Sequence, residues 1–139
     1  MKDFPDVEFV FSGQNSLTRE LFAEFIAMTG KRYEASYWEG FLDPVVFKKF
    51  SENVSFTRVV NNQLNIAFNI FYKFNDTLIF TGNTFDERYS DYSLGFLTTF
   101  HSIEMAYKSG AKKVILGPGD YGYKSRLSNQ TETLYEYRL

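Results

Sequence analysis

No cysteine occurs among the 139 residues. That excludes disulfides, thiolate metal sites and a cysteine nucleophile, and it suits a reducing compartment. With only one histidine besides, no zinc site is expected. Neither sign of charge dominates, since 15 basic residues stand against 17 acidic ones for a net charge of −2. Basic residues never run beyond adjacent pairs such as Lys48-Lys49. A duplex-binding surface shows as a clustered basic excess, so DNA is not expected as a partner. Apolar runs stay well short of the roughly 18 residues that a membrane span needs. The start, Met1-Lys2-Asp3-Phe4-Pro5-Asp6, lacks the apolar stretch of a secretory signal. These absences predict a soluble, cytoplasmic chain forming one domain over residues 1–139, either whole or a piece of a longer protein.

Aromatic residues are abundant, with 16 Phe and 10 Tyr. Each ring taken out of water contributes about 1.5–3 kcal/mol, so packing alone can hold the fold. Val7–Phe11 reads as a strand ended by Ser12-Gly13. Asn15-Ser16 reads as a helix cap, and Leu17, Leu21, Phe22, Phe25, Ile26 and Met28 follow at helical spacing up to Gly30. Tyr37, Trp38 and Phe41 fall in an ambiguous aromatic segment and serve either as core, the preferred reading, or as pocket lining. Asp43-Pro44 opens a short helix that docks through Val46, Phe47 and Phe50.

The period then changes to two. Leu64, Ile66, Phe68, Ile70, Tyr72 and Phe74 alternate with Asn65, Ala67, Asn69, Phe71 and Lys73. Asn61-Asn62 and Asn75-Asp76 are hairpin signals, giving antiparallel strands near 55–60, 63–74 and 77–85. The third leads through a polar loop, Asp86–Ser93, into a helix over Leu94–Ser109 and a strand over Lys112–Leu116. A strand, a helix and a strand without a hairpin turn predict a parallel crossover. On that helix Phe96, Phe100, Ile103 and Tyr107 form the apolar row expected to face the core. A turn or helix over Asp120–Leu127 and a last strand over Thr131–Leu139 complete the reading. The polar loop opens onto a helix N-terminus, where unpaired amides and the helix dipole favour a phosphate-bearing ligand.

The segment from Phe85 to Leu127 resembles the GNAT acyltransferase superfamily, in the branch of Fem-type aminoacyl ligases and exopolysaccharide-cluster acyltransferases. The resemblance rests on Tyr89, Tyr92, Ser93, Gly95, Gly110, Gly117, Gly119, Tyr123 and Lys124. It implies an α+β fold with a mixed sheet, an antiparallel three-stranded meander joined through a helix to a parallel strand, and helices on both faces. It further implies that the strand near Phe80, Gly82 and Asn83 and the crossover strand part to admit an acyl donor, acetyl-CoA or another acyl-CoA. The donor pyrophosphate would meet the amides of Ser93, Leu94, Gly95 and Phe96. One departure stands out: aligned on Arg88, Asp91 and Ser93 occupy positions where the family carries small residues. A carboxylate repels a pyrophosphate and a side chain limits close backbone approach. A different donor, or a binding or scaffold module without chemistry, is therefore the alternative.

The implied reaction is acyl or aminoacyl transfer to the amine of a small molecule or cell-wall precursor, without a metal. Tyr123, or else Tyr121, is the candidate acid for the leaving thiolate, and Lys124 a candidate partner for a phosphate. Trp38, Glu39 and Asn69 are candidate acceptor contacts, with Glu39 as a possible base and Asn69 alternatively an ordinary solvent-side residue. His101 with Glu104 could form a base pair, though a structural role is preferred because His101 falls off the apolar row. The alternating aromatics of the last segment could pair across a homodimer.

Overall fold

In the computed structural model, the described residues are 6–31 and 35–116. Five strands form one sheet in the order β1 (Glu8–Ser12), β2 (Val54–Asn61), β3 (Leu64–Phe74), β4 (Thr77–Phe85) and β5 (Lys113–Ile115). Neighbours from β1 to β4 are antiparallel, and β5 joins β4 in parallel. Helices α1 (Arg19–Gly30), α2 (Ser36–Glu39) and α3 (Pro44–Glu52) lie between β1 and β2 in sequence, and α4 (Leu94–Lys108) bridges β4 to β5. This is the mixed α+β architecture that the sequence implied.

One face of the sheet packs Phe56, Phe68 and Ile70 against Phe22, Phe25 and Ile26 of α1 and Phe47 and Phe50 of α3. Both helices have clear starts. Thr18 accepts from the Leu21 amide, so α1 begins later than the Asn15-Ser16 expectation; Leu17 then precedes the cap, buried in the same cluster as Phe22. Asp43 caps α3 by accepting from the Val45 and Val46 amides, with Pro44 in the first turn as expected. The first hairpin turns on Asn62 and Gln63, both at positive φ, one residue beyond the expected pair.

The opposite face belongs to α4 and carries two apolar clusters. One joins Val59, Ile66 and Ala67 to Leu94, and the other joins Phe71 and Leu78 to Ala106 and Ala111. β3 is therefore covered on both sides, which corrects the expectation that Asn69 might be a solvent-side residue. Its alternation also breaks near its start: Val59 opposes Ala67 while Val60 opposes Asn65, so Ile66 is the extra residue of a bulge and joins Ala67 in one cluster.

The largest correction concerns α4. Its buried residues are Leu94, Thr98, Thr99, Ser102 and Ala106. Phe100 and Tyr107 are 46% and 50% exposed, so the aromatic row does not form the sheet-facing side. Thr98, Thr99 and Ser102 can be buried because each hydroxyl bonds the carbonyl four residues back, on Leu94, Gly95 and Thr98. The expected helix at 120–127 and strand at 131–139 lie outside the described residues.

Candidate active site

β4 is the strand on which the site is built. Its pairing with β5 covers Thr77, Leu78 and Ile79. From Phe80 to Phe85 the strand runs on, and no described residue continues the ladder along that edge. On its other edge the register slips: Phe71 opposes Phe80 while Ile70 opposes Gly82. Thr81 is thus the extra residue of a bulge, with its hydroxyl donating to the Ile70 carbonyl at 3.1 Å. A bulge bends its strand and disrupts the local ladder. It also explains why Phe80 packs on the α4 side with Phe71 while Gly82 meets Phe25 on the α1 side.

Gly82 has no room for a side chain. A Cβ there would lie 2.7 Å from the Phe25 ring and 3.4 Å from the Trp38 ring. Trp38 is held edge-on to Phe25, with ring centroids 5.2 Å apart. The structure thus brings together Gly82 and Trp38, chosen from sequence for the donor and acceptor sides. Trp38 proves to be partly buried packing as well as a wall beside β4. Glu39 follows it on α2 and is exposed. Beyond Trp38 the aromatic chain continues through Phe41, Phe50 and Tyr72. A cleft of about 510 Å³ opens there, lined by Phe41, Val45, Val46, Lys49, Phe50, Asn53 and Tyr72. Burial, reinforced by nearby Tyr37, raises the Tyr72 phenol above its ordinary pKa.

The N-terminus of α4 faces the same stretch of β4. A Cβ on Gly95 would lie 3.5 Å from the Asn83 side-chain amide. Leu94 is buried, and Ser93 precedes it with φ +54° and ψ +41°, without a side-chain cap bond. That left-handed conformation is the one glycine favours, so Ser93 keeps the local backbone shape despite the residue change. The expected loop before it is a 3₁₀ segment, Glu87–Tyr92, opened by Asp86. Asp86 accepts from both the amide and the guanidinium of Arg88, the latter at 2.7 Å. The hydrogen bond from the Arg88 side chain is the main reason the Asp86 carboxyl sits below the usual carboxylate range. Asp91 is exposed on this segment. A second cavity of about 400 Å³ lies between α1 and this loop, walled by Glu24, Lys31, Asn65, Asp86 and Arg88 among others.

Three candidates, Tyr121, Tyr123 and Lys124, lie outside the described residues, as do Gly117 and Gly119. Asn69 is fully buried beneath α4, so it offers no contact to an acceptor. His101 stacks on Phe9 at 5.1 Å, and burial lowers its pKa; it sits away from β4's open stretch. Sequence reasoning missed Thr81 and the Phe25 contact. The Thr-Gly-Asn interruption of an otherwise apolar strand was the available signal for the first; nothing local announced the second. Among the described residues no group of three or more His, Cys, Asp or Glu is placed to hold a metal, and no helix is long and apolar enough to cross a membrane.

A mixed sheet whose fourth strand runs beside a helix N-terminus agrees with the fold that the resemblance to acyltransferases implied. Residues 2–125 match the family model described as Acetyltransferase (GNAT) domain, and the chain belongs to that enzyme family. Solved structures agree on the fold. An aminoglycoside acetyltransferase from an uncultured soil metagenomic sample, in complex with trehalose, superposes with a TM-score of 0.68 at 10% identity, covering 96% of this chain and 95% of that one. A Trypanosoma brucei acetyltransferase gives 0.67 at 16% identity, covering 96% and 100%. PaiA N-acetyltransferase from Thermoplasma acidophilum, in complex with coenzyme A, gives 0.52 at 11% identity, covering 76% and 75%. No curated protein matches the sequence.

Proposed function

We propose that this protein transfers an acyl group from an acyl-CoA thioester to an amine. The observation that carries the reading is the bulged stretch of β4 from Phe80 to Gly82, which lies beyond its pairing with β5 among the described residues and runs toward the first turn of α4. The main chain along that edge would run beside a pantetheine arm and pair with its amides, and helix-start amides suit its pyrophosphate. The amine nitrogen would attack the thioester carbonyl, forming the C–N bond as the C–S bond breaks. The nitrogen loses a proton, and the leaving thiolate takes one from Tyr123 or Tyr121. Lys124 serves the donor phosphates. Glu39, exposed beside Trp38, is the candidate to receive the amine proton, directly or through water. The acceptor's body would occupy the cleft over Phe41, Phe50 and Tyr72, which carries one cation, Lys49, and no carboxylate among its described lining. An acceptor with an apolar body fits that lining better than a polycation.

Asp91 and the tie of Arg88 to Asp86 favour a second reading, a GNAT-fold binding module that has lost the chemistry. One experiment separates them. Acetyl-CoA is titrated by calorimetry, and release of CoA thiol is then followed with a panel of amines. Binding with amine-dependent release is the expected result, and binding without release assigns the module. No heat with any CoA ester removes the CoA reading and directs the search to a Fem-type aminoacyl carrier.

A further inference from the structure

Beneath α4, a row of polar side chains separates the two apolar clusters. Thr57, Asn69 and Asn83 are lateral neighbours on β2, β3 and β4. Thr57 and Asn69 are fully buried, as is Ser102 of α4 above them. The Ser102 and Thr57 hydroxyls share a hydrogen bond of 2.7 Å. With its carboxamide turned so that the nitrogen faces β4, Asn69 donates to Asn83 Oδ1 at 2.7 Å and to the Phe68 carbonyl at 3.2 Å. Its oxygen then accepts from the Thr99 main-chain amide at 3.3 Å. The opposite orientation sets two amide oxygens face to face, so the surroundings select the first. The Thr99 hydroxyl in turn bonds the Gly95 carbonyl at 2.8 Å. Asn83 ends the row where β4 meets the first turn of α4, against Gly95.

We propose that Asn69 is a positioning residue for the donor cleft, acting through Asn83. By gripping Asn83 on one side and the second turn of α4 on the other, it fixes the gap between β4 and the helix start. A buried amide with both ends satisfied is a directional tie that an apolar side chain cannot replace. Asn69 is itself fully enclosed, so it reaches a donor only through its neighbours. The inference rests on the donor reading above.

The test compares wild type, Asn69→Leu, Asn83→Ala and the double variant, with Phe47→Leu in the core of the opposite face as a control for a general loss of stability. Should Asn69→Leu not fold, Asn69→Ser, which is smaller and keeps a polar group in the row, replaces it. Affinity for CoA is measured by calorimetry and KM for acetyl-CoA by thiol release, at temperatures where every variant is folded. The expected result is at least a tenfold loss of CoA affinity in Asn69→Leu, seen as a rise in KM with little change in kcat. The double variant is then no worse than the weaker single variant, because both act on one tie. Unchanged CoA affinity in Asn69→Leu, additive losses, or an equal loss in Phe47→Leu overturns the positioning role while the transferase reading stands. A wild type that binds no CoA ester overturns both.

Discussion

Ser93 adopts a backbone conformation that glycine would hold more cheaply. At φ +54° a residue with a Cβ is strained by about 1–2 kcal/mol, partly offset by the larger chain entropy that glycine loses on folding. Ser93→Gly is therefore expected to raise stability by about 0.5–1 kcal/mol, read as a higher urea midpoint at unchanged slope. Gly82 presents the reverse case. Its replacement by alanine drives a methyl into the Phe25 ring, which is locked in the core. Overpacking of this kind costs about 1–3 kcal/mol, and Gly82→Ala should lower the midpoint accordingly. His101 supplies a pH response. Burial against Phe9 lowers its folded pKa; Glu104 opposes the shift and Lys108 adds to it. The unfolded chain thus takes up the proton first, so stability is full above about pH 6.5 and declines as pH falls toward the folded value. A melting temperature that did not fall between pH 7 and pH 5.5 more than in His101→Phe would refute this. Sequence alone marked Ser93, Gly82 and His101 as positions of interest. The conformation of the first and the neighbours of the other two arise from chain segments far away, which local pattern does not encode.

At the scale of elements, the periodic strands and capped helices were readable because their signals are local. Asp43-Pro44 caps α3 through its own side chain, and the Asn-rich turns carry the positive φ angles that hairpins need. α4 was readable as a helix but not in its orientation. Its most apolar stripe, through Phe100 and Tyr107, is half exposed, while Thr98, Thr99 and Ser102 face the sheet. A hydrophobic pattern assumes an apolar partner, whereas the sheet here offers Thr57 and Asn69. The two substitutions below distinguish the arrangements. Phe100→Lys should cost no more than about 1 kcal/mol, because about half of that ring is already in water. Ser102→Leu should cost at least about 2 kcal/mol, since it both overpacks the interface and removes a partner of buried Thr57. Chemical denaturation of the pair gives the order directly, and a larger loss from Phe100→Lys would restore the aromatic stripe as the packing face.

For the molecule as a whole, the order of the main elements as far as β5, the crossover and the GNAT family followed from sequence, while the shape of the cleft did not, because a bulge depends on which residue of a neighbouring strand each residue meets. Thr81 makes the consequence testable. Phe80 and Gly82 already oppose consecutive residues of β3, Phe71 and Ile70. Removing Thr81 would therefore close the bulge into a regular ladder without turning any other side chain to the wrong face, in contrast to an ordinary one-residue slip. The pairing with β5 precedes the bulge, at Thr77 to Ile79, and would be kept. The deletion should leave a folded domain with a cooperative denaturation transition, but a straighter β4 that no longer bends beside α4. Affinity for CoA should fall by at least tenfold relative to wild type, and amide exchange over residues 80–83 should slow as the ladder becomes continuous. If the deletion variant folds and binds CoA as the wild type does, the bulge is incidental, and the donor must be held by the helix start or by other parts of the chain.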